Sequence, residues 1–214
     1  MRIRLESGLL LIDVEGMIEQ KFAQWPWEKY DGERPGSPDV LTSADINRAY
    51  RLGARTARSA YDRLVRDDGR KITRLLARIP REPLEDVDLD ECRPHLTRLF
   101  DVVCRKGIRL AGATKLLSPL RPSLLPVVDS IVDHYYWFAS SIRDERSFRR
   151  LESAKGWGGY LVELLSLVRA DVRAARGQID RLRYACTGKP YSSASRVRLL
   201  EALIWFYYAR AGRR

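Results

Sequence analysis

The sequence predicts an all-α fold, and three observations predict it. Apolar residues recur at three- and four-residue spacing through most of the 214 positions. Helix-capping signals stand at the heads and tails of those stretches. Proline and glycine clusters cut the chain into segments of helix length. About eight helices with short loops follow from this pattern. They form two packed lobes, 1–80 and 90–214 of a single domain, joined by an acidic, proline-containing connector.

Residues 3–22 start with alternating apolar and polar positions and drift towards helical spacing; Leu9-Leu10-Leu11-Ile12 fits a short strand or a buried helix equally well. Residues 25–40 (WPWEKYDGERPGSPDV) read as a loop because three prolines and two glycines fall within them. Trp25, Trp27 and Tyr30 in that loop can stack on bases or pin the loop to the core. Thr42-Ser43-Ala44-Asp45 is a capping signal, and the helix it opens is expected over 43–66. Its apolar stripe is Ile46, Tyr50, Leu52-Gly53, Ala57, Tyr61 and Leu64-Val65; Arg48, Arg51, Arg55, Arg58 and Arg63 occupy much of the other face.

A second helix is expected over 69–79, stopped by Pro80, and a third over 93–106, with Lys106-Gly107 as its C-terminal cap. After Asp129 the aromatic run Tyr135, Tyr136, Trp137, Phe138 extends a buried helix to about 141. Residues 143–150 (RDERSFRR) read as a charged helix edge or turn, and Gly156-Trp157-Gly158-Gly159 as a turn or a helix interruption. Leu161, Leu164-Leu165, Val168, Val172 and Ile179 place an amphipathic helix over 160–179. Ser192-Ser193 caps a last helix over 194–210.

Composition narrows the function. Apolar residues at 45% and charged residues at 31% fit a packed domain rather than a disordered chain. No apolar run approaches the roughly 18 residues of a membrane span, and no secretory leader is visible at the N-terminus, so the expected location is cytoplasmic and no membrane partner is expected. Cys92, Cys104 and Cys186 show neither a CxxC spacing nor enough histidine around them for a zinc site, and they cannot hold an iron–sulfur cluster. They read as reduced thiols. A net charge of +11 favours a polyanionic partner, nucleic acid first.

The most informative block is 112–133, GATKLLSPLRPSLLPVVDSIVD. A small-residue turn, Gly112-Ala113-Thr114-Lys115, leads into a short apolar helix that Pro119 and Pro122 break. Pro126 then delivers Asp129 to the head of another helix, where backbone geometry fixes the carboxyl group. Capping alone would account for an aspartate there, with a value of about 1 kcal/mol.

GATKLL followed by RPSLLPVVDS resembles the hairpin-plus-aspartate segment of the helix-hairpin-helix DNA glycosylases, with Val128-Asp129-Ser130 in the place of their acid-bearing string. It resembles more closely a bacterial protein family with a KLL…RP…P…DS core, a W-x-W-x-x-YD loop near the N-terminus (Trp25 to Asp31 here) and an apolar last helix containing tryptophan (Leu199 to Trp205). The resemblance implies a helix-hairpin-helix glycosylase-like fold that binds duplex DNA. It gives Asp129 the catalytic, charge-stabilising role, and gives Lys106, Arg109, Gly112, Thr114, Lys115 and Arg121 contact with the nucleic acid. No cofactor is implied beyond a monovalent cation at the hairpin. Position 111, where members with lyase activity carry a lysine, is alanine, so the implied activity is a monofunctional base-excision enzyme or an inactive relative. The alternative class is a non-catalytic helical module that binds a protein partner or forms a homodimer through its arginine faces and aromatic last helix. No phosphate loop or triad-like motif supports an enzyme of small metabolites.

Overall fold

The structure, a computed structural model, describes residues 1–24, 37–105, 107–139 and 156–211. Lys106, the aromatic loop residues Trp25, Trp27 and Tyr30, and the charged stretch 143–150 lie outside the described residues.

Alternation at the N-terminus resolves as strand. Antiparallel β1 (Arg2–Arg4) and β2 (Leu10–Ile12) pair with Ile3 opposite Leu11, and both of these face the core while their neighbours face water. This hairpin is a small addition to a helical protein. The helices are α1 (Val14–Gln24), α2 (Ser43–Arg51), α3 (Arg58–Leu76), α4 (Leu89–Val103), α5 (Leu110–Leu117), α6 (Ser130–His134), α7 (Gly156–Ala185) and α8 (Arg196–Ala211).

The capping signal at Thr42 holds: the Asp45 carboxylate accepts from the Thr42 N–H and Oγ1, each at 2.8 Å. The helix it opens is shorter than expected. Gly53 takes φ +72°, a left-handed turn that ends α2, and its N–H bonds the Tyr50 carbonyl at 2.8 Å. The second expected helix instead begins early, at Arg58, and runs through Asp67-Asp68-Gly69. Arg66 and Arg105 neutralise Asp67 and Asp68, and Gly69 meets only open space and Val65. Of the five arginines expected on one helix face, Arg48 and Arg51 are on α2, Arg58 and Arg63 on α3 and Arg55 in the connection between them, and Arg48 is buried in an ion pair with Asp45.

Asp88 starts α4 by accepting from the N–H groups of Asp90 and Glu91, so the acidic connector ends in a cap. Leu84, Glu85 and Val87 of that connector are buried, and one apolar cluster runs from Ile3 to Phe206.

The longest helix, α7, includes the glycine cluster that reads as a turn. It packs along α4, and Gly158 is what permits the approach: a Cβ there would stand 2.1 Å from the Thr97 carbonyl oxygen. The hairpin lies on α7, where Asp171 accepts from the Ser7 N–H and hydroxyl. Helix α8 packs against α1, α6 and α7. The aromatic run after α6 is not a continued α-helix; it loosens into a π-helical turn, Tyr135–Ala139, with Tyr135 and Tyr136 buried.

Candidate functional site

Helix α5 carries most of the residues singled out from sequence. The turn before it lies five residues earlier than expected: Gly107 takes φ +90°, and the Ile108 N–H bonds the Arg105 carbonyl at 2.8 Å. Gly112 to Lys115 are inside the helix rather than in the turn. Gly112 is a packing residue, because a Cβ there would meet the Thr56 Oγ1 at 2.5 Å, and its carbonyl accepts from the Tyr61 hydroxyl. Thr114 is buried and accepts from the Val128 N–H at 3.0 Å. Arg109 stands exposed at the start of α5.

Pro119 and Pro122 turn the chain as expected, through a 3₁₀ segment at Ser118–Leu120. Arg121 follows and is 2% exposed. Its guanidinium donates to the carbonyls of Leu76, Ile79, Pro38 and Leu120 and to the Asp39 carboxylate at 2.6 Å. The expectation of a phosphate contact therefore gives way to an interior role: the side chain is consumed by the end of α3 and the segment before α2. Asp39 is in turn held below the usual carboxylate range, chiefly by its hydrogen bond from Arg121.

The segment 126–129 is pinned from two sides. Thr114 on α5 receives the Val128 N–H, and Glu201 on α8 receives the Val127 N–H at 2.8 Å. Asp129 then caps α6: its Oδ1 accepts from the N–H groups of Ile131 and Val132, at 3.0 and 3.2 Å. Its Oδ2 accepts from the Trp205 indole N–H at 2.9 Å. The carboxyl group is half-buried, so it is neither free nor sealed.

Two lysines share this neighbourhood. The Lys21 ammonium lies 3.1 Å from the centre of the Trp205 ring. Burial pushes its pKa down to about 8, against the opposing pull of Glu201 and Asp129, and Lys115 adds to the fall by repulsion. Lys115 is half-buried, donates to the Gly53 carbonyl at 3.2 Å, and also has its pKa lowered by burial while Asp129 and Glu201 raise it. Glu201 is buried and paired with Arg198, which also donates to Ser118. The outcome is a charge centre where α1, α5, α8 and the head of α6 converge.

Of the residues expected from sequence, the structure brings Asp129 and Lys115 together, uses Gly112, Thr114 and Arg121 internally, and leaves Arg109 on the surface. Lys21, Glu201 and Trp205 were missed. A signal existed for the first two. Lys21 follows Val14, Met17 and Ile18 at seven, four and three residues, which is the buried face of α1. Glu201 sits between Val197 and Ile204 on the buried face of α8. A charge on an apolar face is where a polar centre forms.

Among the described residues, no group of three or more His, Cys, Asp and Glu could hold a metal ion, and no helix is long and apolar enough to cross a membrane. The three cysteines are free, and burial raises each thiol, that of Cys104 to about 12. The chain matches the model of a family of unknown function, DUF6308, over residues 15–208, and belongs to that family. No curated protein and no solved structure matches it.

Proposed function

We propose that this family member binds nucleic acid and that the Asp129 centre is where it acts, in the manner of a base-excision enzyme without lyase activity. One observation carries the proposal: a half-buried carboxylate is fixed by three N–H donors while two partly desolvated lysines, Lys21 and Lys115, lie in its field. Base excision builds positive charge on the sugar, and a carboxylate that cannot reorient stabilises that charge without reorganisation. The half-buried Lys115 would neutralise a phosphate beside an extruded nucleotide, while the buried Lys21 adds positive charge behind Asp129.

The test is base release. Duplexes bearing a panel of damaged bases are incubated with the wild type and with Asp129→Asn, and abasic sites are counted. Asparagine keeps the N-cap acceptor and removes the charge. Abasic sites from the wild type alone are the expected result; identical traces from both proteins reject the reaction.

One observation favours a non-catalytic helical interaction module: both Asp129 oxygens already have partners within the fold. In that case Asp129→Asn changes stability and nothing else.

A further inference from the structure

The C-terminal half of α3 carries charge that the fold does not use. Asp62, Asp67 and Asp68 of this helix are engaged by Arg58, Arg66 and Arg105. Beyond Asp68 no acid follows on α3; Lys71 and Arg74 stand three residues apart on it, and Arg78 follows in the turn just past its end. Arg98 of α4 faces them across a groove of about 280 Å³, whose remaining lining residue is Leu75. Among the described residues none of the four cations has a carboxylate partner, and the one side-chain bond from them is that of the Arg74 Nε to the carbonyl of Arg70. Lys71 is half-buried, while Arg74, Arg78 and Arg98 are exposed.

Cations near a helix C-terminus normally complement its negative end. Here that need is already met, because the buried guanidinium of Arg121 donates to the carbonyls of Leu76 and Ile79. The groove cations are surplus to the helix. Four like charges around one depression repel each other, and a bound polyanion relieves the repulsion.

We propose that this α3–α4 groove is a phosphate-binding track for a nucleic-acid strand. Lys71 and Arg74, about 4.5 Å apart along the α3 axis, and Arg78 in the turn beyond offer successive cations to a strand whose phosphates repeat at about 3.4 Å of rise. Three of the four cations are arginines, whose planar forks match phosphate oxygens two at a time. A membrane surface fits less well: the exposed large apolar side chains among the described residues are Leu10, Ile12, Val40, Trp157, Tyr184 and Tyr207, and none lines the groove to insert into lipid. The groove rests on the nucleic-acid proposal above only for the identity of its polyanion; it shares no residue with the Asp129 centre.

The experiment is fluorescence anisotropy with a labelled 20-base-pair duplex between 50 and 200 mM salt. It compares the wild type, a groove variant (Arg74→Gln with Arg98→Gln) and a control that loses the same charge elsewhere (Arg2→Gln with Arg4→Gln, exposed on β1). The groove variant is expected to bind at least tenfold more weakly at 50 mM salt. Its slope of log affinity against log salt should fall by about 1.8, close to 0.9 for each lost phosphate contact. The control should retain the wild-type slope. Equal losses in groove variant and control would reduce the effect to net charge and overturn the track, and so would a wild type that does not bind. Groove-dependent binding to anionic vesicles or to a poly-glutamate peptide in place of the duplex also overturns it. Thermal melting checks that the variant folds, and Lys71→Gln with Arg78→Gln repeats the measurement through the other two cations. A protein that binds through the groove but releases no base keeps the track and loses the reaction; base release that ignores the groove substitutions does the reverse.

Discussion

Arg121→Met separates interior work from surface recognition. Methionine keeps an unbranched apolar stem and deletes every donor. The lost donors leave the carbonyls of Leu76, Ile79 and Pro38 without this partner in the interior, and leave Asp39 with Arg81 as its remaining ion pair. A buried polar group stripped of its partner costs about 1–3 kcal/mol, and breaking a buried ion pair costs about 3–5 kcal/mol. Because Arg81 still reaches Asp39, the total is set at about 3–5 kcal/mol. At roughly 2–4 °C per kcal/mol for a chain of this size, the melting midpoint falls by about 10 °C. The assay is a thermal melt paired with duplex-binding anisotropy at a temperature where the variant is folded. The expected outcome is lower stability with unchanged affinity. An unchanged melt with weakened binding would return Arg121 to the phosphate-contacting role that the sequence suggested, and refute the account of the end of α3.

Two glycines of α7 should respond in opposite directions: Gly158→Ala forces a Cβ into the Thr97 backbone and destabilises by about 3 kcal/mol, whereas Gly177→Ala, with nothing within 4 Å, stabilises by up to about 1 kcal/mol in the same denaturant titration. Lys21→Met should stabilise the protein by about 1–3 kcal/mol at pH 7. The sign follows from the pKa falling to about 8 from 10.5: below pH 8 both states hold the proton and the folded state bears the cost of burying it, while between those values only the unfolded chain holds it and wild-type stability rises with pH. The gain from Lys21→Met should therefore shrink towards pH 10, and a loss of stability equal at both pH values would contradict it. Thr114→Val removes the acceptor for the Val128 N–H and should cost about 1–2 kcal/mol in a chemical melt.

Local signals reported local structure well. Thr42, Asp129 and the prolines at 119 and 122 are read correctly because each acts through its own backbone. Periodicity failed where tertiary contact decides. Gly53, Gly69 and Gly158 are the same residue type, yet one ends a helix, one is carried through a helix, and one opens a helix to its neighbour; only the surroundings distinguish them. The site followed the same rule. Asp129 was legible because a proline-set bend precedes it. Lys115 was legible as a nearby cation in the same segment. Arg121 looked alike in sequence but is turned inward by carbonyls from two remote segments. Lys21, Glu201 and Trp205 arrive from helices more than 70 residues away from Asp129 in chain order, apart from the hint that two of them interrupt apolar faces. The unpaired groove cations were legible as basic residues but not as surplus ones, since pairing is decided across helices.

The most direct test of the Asp129 centre uses a duplex in which one deoxyribose is replaced by a cationic pyrrolidine ring, set against the same duplex with a neutral tetrahydrofuran ring. A carboxylate arranged to stabilise charge developing on the sugar should bind the cationic ring about tenfold or more tightly. Asp129→Asn should erase that preference while leaving the neutral duplex bound as before. Equal affinity of the wild type for both rings would mean that Asp129 caps a helix and does no more.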